Sequence, residues 1–133
     1  MFRVTKQIDF CYGHRLLNYQ GPCRHLHGHN GRVEVEIEVG ALDERGMARD
    51  FSDLKTVVKT WIDSHLDHRI LLHRDDPVLA HLKKTGEAHY EMTENPTAEN
   101  ISRVIYERMS AKIKLSKVTV WESPTASASY IGE

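Results

Sequence analysis

Residues 32–39 alternate strictly between charged and apolar side chains, and this pattern constrains the fold more than any other part of the chain. The charged residues share one parity: Arg32, Glu34, Glu36 and Glu38. The apolar residues share the other: Val33, Val35, Ile37 and Val39. This period predicts a β-strand with one buried and one polar face. The apolar parity continues backwards through Gly31 to His29 and His27, which predicts two histidines on the core-facing side.

A segment near the start of the chain has the same period and also ends in a histidine. Its apolar parity holds Phe2, Val4, Ile8, Phe10 and Tyr12, with Lys6 as an exception, and the next residue of that parity is His14. If the two strands pair as a hairpin, His14, His27 and His29 converge on one face. Three converging imidazoles are typical of a catalytic zinc site with an open fourth position. The alternatives are polar residues at a sheet end, and His25 as a rival ligand of the same parity.

The remaining segments predict an α+β domain spanning residues 1–133. "ALDERGM" reads as a hairpin turn around Gly46, followed by a short strand over residues 47–50. Apolar spacing predicts a helix from Phe51 to Ile62 and a second one that begins at the N-cap Thr97. "SHLDHRILLHRDDP" reads as a loop, and residues 75–92 as irregular with some helix over 78–84. Strands at 117–122 and 126–132 complete an antiparallel sheet with helices on one face.

Composition narrows the class of protein. The formal net charge of -1 and the lack of a basic–aromatic stripe disfavour a nucleic-acid binder. No apolar run approaches the roughly 20 residues of a membrane helix, and the N-terminal segment lacks a signal-peptide core. We therefore expect a cytoplasmic protein without a membrane partner. In that reducing compartment Cys11 and Cys23 are expected to be free thiols.

Three further features carry possible chemistry. Cys23 lies four residues before His27 and could be a reactive thiolate, a fourth zinc ligand or an inert loop residue. Asp67 directly precedes His68, a pairing that serves general acid–base catalysis or is incidental. Glu122 continues the apolar parity of the last long strand, where a carboxylate could bind paired N–H donors of a ligand or simply face solvent.

Taken together and in order, six motifs resemble one enzyme family: "FCYGHRL", "CRHLHGHN", "GMARDFSDLK", "LDHRIL", "NPTAEN" and "WESPTASASY". The chain is similar to the 6-pyruvoyl-tetrahydropterin synthase and 6-carboxytetrahydropterin synthase (QueD) family. The resemblance implies the tunnelling fold, in which the sheets of several subunits close into a barrel. It implies a homo-oligomer, a trimer or hexamer, with active sites at subunit interfaces. It also implies Zn²⁺ on His14, His27 and His29, with His25 outside the ligand set.

The resemblance also assigns roles to single residues. Cys23 matches the catalytic cysteine, and Asp67 and His68 match its proton-transfer partners, contributed by a neighbouring subunit. Glu122 matches the glutamate that grips the pterin ring, and it counts among both the catalytic and the substrate-binding residues. Thr97 and Glu99 match positions that line the pterin pocket. Cys11, on the opposite parity of its strand, is expected to have no role in turnover.

The implied reaction is the zinc-dependent conversion of 7,8-dihydroneopterin triphosphate to 6-carboxytetrahydropterin, acetaldehyde and triphosphate, on the route to queuosine. The gap of three residues between Cys23 and His27 resembles that of the bacterial carboxy-forming enzymes, and the resemblance implies this branch. The alternatives are the pyruvoyl-forming reaction, which eliminates triphosphate, and a non-catalytic zinc- or pterin-binding module. One departure concerns the residues after Glu122, which read "SPTAS" where many QueD proteins read "TCTAG". Candidates for binding the triphosphate are Arg15, Arg24 and Lys55.

Overall fold

The computed structural model describes residues 1–132, which form six strands and three α-helices. The strands are β1 (Phe2–His14), β2 (His27–Val39), β3 (Arg69–His73), β4 (His89–Met92), β5 (Lys117–Ser123) and β6 (Ala126–Ile131). The helices are α1 (Phe51–His65), α2 (Val78–Thr85) and α3 (Ala98–Met109), and a short 3-10 turn spans Pro22–Arg24. All strands belong to one sheet with the order β4-β3-β1-β2-β5-β6.

The long hairpin of β1 and β2 is the centre of the sheet. The two strands pair antiparallel from Phe2 opposite Val39 to His14 opposite His27, as the two alternating segments predicted. β5 pairs antiparallel with β2, and β6 with β5. The predicted antiparallel part of the sheet is therefore confirmed.

Helices α1 and α3 cover the apolar face of this antiparallel part. Leu54, Val58 and Ile62 of α1 are fully buried against the apolar parity of β1, β2 and β5. α3 adds Ile101 and Ile105 to the same core. Each helix begins at a side-chain cap, because Asp50 accepts from the N–H of Ser52 and Thr97 from that of Asn100. The expected N-cap at Thr97 is confirmed.

The structure corrects three predictions. These are a loop at "RILLH", helices on one face of the sheet only, and a strand over residues 47–50. "RILLH" is not loop but strand β3, which pairs parallel with β1 and with the short β4, so the sheet is mixed. α2 packs through Leu79 and Leu82 on Leu72, whose neighbour Leu71 faces the main core. α2 therefore covers the other face of the sheet at its β3 end. Residues 47–50 form no strand. The Asp43 carboxylate instead accepts hydrogen bonds from the N–H groups of Arg45 and Met47, which closes a tight loop.

The face of the hairpin away from α1 and α3 is polar. Cross-strand pairs run along it, including Arg3 with Glu38 at 2.7 Å and Asp9 with Arg32 at 2.9 Å. We call this the polar face. Within residues 1–132 no helix is both long and apolar enough to cross a membrane.

Candidate functional site

The three predicted zinc ligands meet where the β1–β2 hairpin ends. His14 closes β1, His27 opens β2 opposite it, and His29 lies two residues further along β2. One ring nitrogen from each of the three lies within 4.8 Å of the others. His14 is 1% exposed, and His27 and His29 are half-buried. We call this group the three-histidine site; it lies on the core side of the sheet, as strand parity predicted.

Backbone carbonyls orient two of the three rings. His14 Nδ1 donates to the carbonyl of Pro96 at 2.7 Å, and His27 Nδ1 donates to that of His25 at 2.7 Å. Because a carbonyl only accepts, each Nδ1 carries a proton, and in the neutral ring this tautomer leaves the lone pair on Nε2. The Nε2 atoms of His14 and His29 are 3.1 Å apart. His25 thus contributes its carbonyl rather than its ring to the site.

Electrostatics also favour a neutral, metal-binding imidazole at His14. Burial lowers the pKa of His14 below its ordinary value, and the neighbouring His27 and His29 lower it further, against the carbonyl of Pro96 and Glu122, which raise it. Neutral imidazole is the form that binds a metal. Ring nitrogens from three histidines around one point fit Zn²⁺ and leave a position for water or substrate.

Glu122 lies against this site. One of its carboxylate oxygens is 3.2 Å from His29 Nε2 and 3.4 Å from His14 Nε2, and its side chain is 29% exposed. β5 places it there because Glu122 follows Val118 and Val120 on the core-facing parity. A cation at the histidines would therefore have a carboxylate within reach.

Two features of this site were missed by the sequence reasoning. The first is Pro96, whose carbonyl holds His14. The second is Asn95, whose side chain accepts from the N–H of Leu17 and donates to its carbonyl, both at 2.8 Å. Asn95 thereby ties the segment before α3 to the segment just after His14. The motif "NPTAEN" held these residues, but sequence spacing alone does not reveal which backbone a side chain binds.

Cys23 sits on the 3-10 turn of Pro22–Arg24, in the connection between β1 and β2. It is partly buried, and its carbonyl accepts from the N–H of Leu16 at 2.9 Å. Cys11 and Cys23 are both free thiols, as expected. Thr97 is half-buried beside Pro96, and Glu99 is exposed in the first turn of α3.

Asp67 and His68 pair as the dipeptide suggested. Asp67 Oδ2 is 2.7 Å from His68 Nδ1, and His68 is 78% exposed in its side chain. His68 has a left-handed backbone with φ 58°, a strained conformation for a residue with a side chain. Burial alone would raise the pKa of Asp67, but hydrogen bonds from the Cys11 N–H and from His68 outweigh it, so this pKa is lowered.

Cys11 lies beside the Asp67–His68 pair, a contact that the sequence did not predict. Its N–H donates to Asp67 Oδ1 at 2.9 Å, and its carbonyl accepts from the N–H of His68 at 2.8 Å. Cys11 Sγ, a carboxylate oxygen of Asp67 and a ring nitrogen of His68 all lie within 4.8 Å of one another. We call Cys11, Asp67 and His68 the opposite-face cluster, since Cys11 has the parity of the polar face. The predicted parity of Cys11 is confirmed, and its expected lack of a role in turnover stays a prediction.

The two groups share no residue, but a cavity of about 580 Å³ is lined by Cys11 and His68 together with His27 and His29. The cluster opens into a cavity of about 760 Å³ on the polar face, lined in part by Asn30, Trp121 and Ser123. Among the described residues, Cys23 lines neither this cavity nor the three-histidine site. Of the predicted catalytic residues, Asp67 and His68 therefore pair within the chain, whereas Cys23 lies apart from this cavity's wall.

Arg15, one of the residues predicted as a candidate for binding the triphosphate, already forms an ion pair within the chain. Arg15 forms a two-pronged ion pair with Asp76, at 2.7 Å and 2.6 Å, and Asp76 is 3% exposed. Asp76 also accepts from the N–H of Val78 at the start of α2. Arg15 therefore fixes the segment after His14 rather than offering a free cation.

Comparison with known proteins gives consistent results. The family model for 6-pyruvoyl tetrahydropterin synthase matches residues 3–133. The 6-carboxy-5,6,7,8-tetrahydropterin synthase of Rickettsia felis is 36% identical, over 93% of this chain and 96% of that protein. An uncharacterized protein from Wolinella succinogenes has a crystal structure that superposes with a TM-score of 0.85 at 30% identity, covering 99% of this chain and 98% of the other. The 6-pyruvoyl tetrahydropterin synthase of Caenorhabditis elegans shares the fold, with a TM-score of 0.74 at 24% identity, over 99% and 96% of the two chains.

Proposed function

Because the chain belongs to the 6-pyruvoyl tetrahydropterin synthase family, we propose that it is a 6-carboxytetrahydropterin synthase. It would convert 7,8-dihydroneopterin triphosphate to 6-carboxytetrahydropterin, acetaldehyde and triphosphate. The observation that carries the proposal is the three-histidine site with Glu122 beside it, in a chain whose relative from Rickettsia felis bears the carboxy-forming name. The free thiols fit a cytoplasmic enzyme.

We propose Zn²⁺ as the metal, held by His14, His27 and His29. The three nitrogen donors favour zinc over a hard cation such as Mg²⁺, which prefers oxygen ligands. When bound, zinc supplies Lewis-acid polarisation of the substrate's side-chain oxygens. The hydrogen bonds of His14 to Pro96 and of His27 to His25 hold the two rings ready for it.

Glu122 is proposed to bind the pterin ring through its paired N–H donors. In the structure its carboxylate contacts His14 and His29, so gripping the pterin requires it to leave these nitrogens. A cation on the imidazoles would take its place as their partner. Thr97 and Glu99, at the start of α3 next to Pro96, would line the same pocket.

Cys23, Asp67 and His68 are proposed to move protons between carbon and oxygen as the side chain isomerises and breaks. Asp67 holds Nδ1 of His68, which directs Nε2 outward as the proton-transfer atom. Since His68 projects from the polar face and Cys23 lies on a different loop, we propose that the pair serves Cys23 of a second copy. The functional unit is then a homo-oligomer with composite sites.

The pyruvoyl-forming reaction remains the second candidate because the matching family model carries that description. Identification of the pterin product by mass, after incubation of the zinc-loaded protein with 7,8-dihydroneopterin triphosphate, separates the two. We expect 6-carboxytetrahydropterin and acetaldehyde, and no product from His27→Ala. A pyruvoyl pterin would assign the other branch. Tight pterin binding with no turnover would make the chain a binding module.

A further inference from the structure

The opposite-face cluster brings together three kinds of metal-binding group outside the three-histidine site. A thiol, a carboxylate and an imidazole offer donor atoms that all lie within 4.8 Å of one another. Zinc and chemically similar metal ions bind each of these donors. The sulfur donor makes the cluster a poor site for hard cations, which prefer oxygen ligands. The cluster and the three-histidine site share no residue.

The three donors are held by rigid elements. Cys11 lies inside β1, and its backbone binds the Asp67 carboxylate and the His68 N–H. Asp67 is fixed at the end of α1, where its N–H donates to the carbonyl of Ile62 at 2.9 Å. The backbone therefore positions the donors before any ligand arrives, which reduces the cost of binding.

A cation can reach the cluster from solvent. The cavity of about 760 Å³ has Cys11, Asp67 and His68 in its wall. His68 is 78% exposed, so its ring can turn without displacing core side chains. The cavity also has room for water to complete the coordination.

We propose that Cys11, Asp67 and His68 form a second metal site, which binds a borderline-soft divalent cation such as Zn²⁺ with water as a further ligand. Binding breaks the hydrogen bond between Asp67 and His68, and the Cys11 thiol releases its proton to solvent. The affinity therefore rises with pH.

A consequence for catalysis rests on the proposed function. If Asp67 and His68 are the proton-transfer pair, a cation on them removes them from turnover. Excess zinc would then inhibit the enzyme through this second site, while the first equivalent of zinc is required.

Titration with Co²⁺ tests the site without measuring activity. The three-histidine site offers nitrogen and the nearby Glu122 carboxylate but no sulfur, so a sulfur-to-cobalt charge-transfer band reports a thiolate ligand. We expect this band with the second equivalent of Co²⁺ in the wild type and with the first equivalent in His27→Ala. It should be lost in Cys11→Ser and kept in Cys23→Ser.

Two further measurements distinguish loss of the second metal site from misfolding of a variant. Cys11→Ser should still bind one equivalent of Co²⁺ at the three-histidine site, which shows that it is folded. His68→Asn, an exposed change to a residue that tolerates a left-handed backbone, should lose the second equivalent as well. A band that persists in Cys11→Ser, or its absence from every variant, overturns the second site. Both readouts are independent of turnover, so a failure of the proposed reaction leaves this test intact.

Discussion

His14 is the most constrained side chain of the three-histidine site. It is 1% exposed, donates to the Pro96 carbonyl and lies 3.1 Å from His29 through the other ring nitrogen. Strand parity was sufficient to predict that His14, His27 and His29 share a face, because a pleated strand allows only two faces. It could not predict the carbonyl partners, which come from residues distant in sequence or in an irregular loop.

The role of Cys23 can be resolved by one substitution. Cys23→Ala should keep zinc and pterin affinity, since the thiol is expected to bind neither, while turnover falls by about 10²–10⁴, the usual contribution of positioned acid–base catalysis. Steady-state kinetics with metal analysis measures both. Gln20→Ala, an exposed change in the same connection, is the matched control. Loss of zinc from Cys23→Ala would instead make Cys23 a fourth ligand, and unchanged turnover would refute its catalytic role.

Asp76 should make stability depend on pH. Burial would raise its pKa, but hydrogen bonds from Arg15 and from the Val78 N–H, with the charge of Arg15, lower it below its ordinary 3.8. A lowered folded-state pKa adds stability that is complete above the unfolded-state pKa and is lost as pH falls through the folded-state value. Asp76→Asn should cost about 2–3 kcal/mol at neutral pH, less than for a fully buried pair because Arg15 is partly exposed.

Urea unfolding of wild type and Asp76→Asn across pH measures this difference. The two curves should be parallel above about pH 5 and approach each other as the pH falls below about 4. Asp75→Asn, a neighbouring exposed carboxylate, is the control. A difference that does not shrink in acid would contradict the ion-pair origin of the effect.

At the scale of elements, the strands and helices with strong periodicity were predictable and the short buried ones were not. β1, β2, α1 and α3 each show a clear period of two or 3.6 residues over long segments. β3 has only five residues, and Leu71 and Leu72 are buried on opposite faces, so it shows no alternation. β4 has four residues of mostly polar character. The pairing of β3 with β1, and of β4 with β3, is decided by tertiary contacts.

Asn95 couples the start of α3 to His14, and this coupling should appear in metal affinity. Asn95→Ala removes both hydrogen bonds to Leu17, so the segment that carries the Pro96 carbonyl is held less firmly against His14. Zinc affinity should therefore fall by about 10–100-fold. Competition with a chelator measures it. Asn95→Asp keeps the acceptor for the Leu17 N–H and loses the donor, so it should show a smaller loss.

A core substitution separates this effect from general destabilisation. Ile105→Val, in the buried stripe of α3, should cost about 1 kcal/mol of stability. Its zinc affinity should match the wild type. Equal affinity losses in Asn95→Ala and Ile105→Val would mean that Asn95 acts only through stability.

At the scale of the whole molecule, the sheet ends in two free edges. β4 and β6 each pair on one side only within residues 1–132, and Ile131 of β6 is 71% exposed. Unpaired edges favour association with further strands, and closure with other copies satisfies them. Sedimentation at micromolar concentration should therefore show a trimer or hexamer, and a fully active monomer would refute the composite site.

Mixing two inactive variants tests whether the site is shared between copies. If Cys23 of one copy works with His68 of another, Cys23→Ala and His68→Asn co-assembled in equal amounts should recover roughly a quarter of wild-type activity by random assembly. Each variant alone stays inactive. If all residues of a site came from one chain, the mixture would recover nothing. Mixing Cys23→Ala with Asp67→Asn should recover the same fraction.

The antiparallel register of β1 and β2 has a further consequence for folding fidelity. A slip of one residue would turn His27 and His29 to the polar face together with the valines of β2, while His14 stays in the core. A slip of one residue therefore separates His14 from His27 and His29, so a cation that needs all three does not bind that hairpin. Ligand binding stabilises only the state that can bind it. The metal would thus act as a check on strand alignment, selecting the correctly paired chain during assembly.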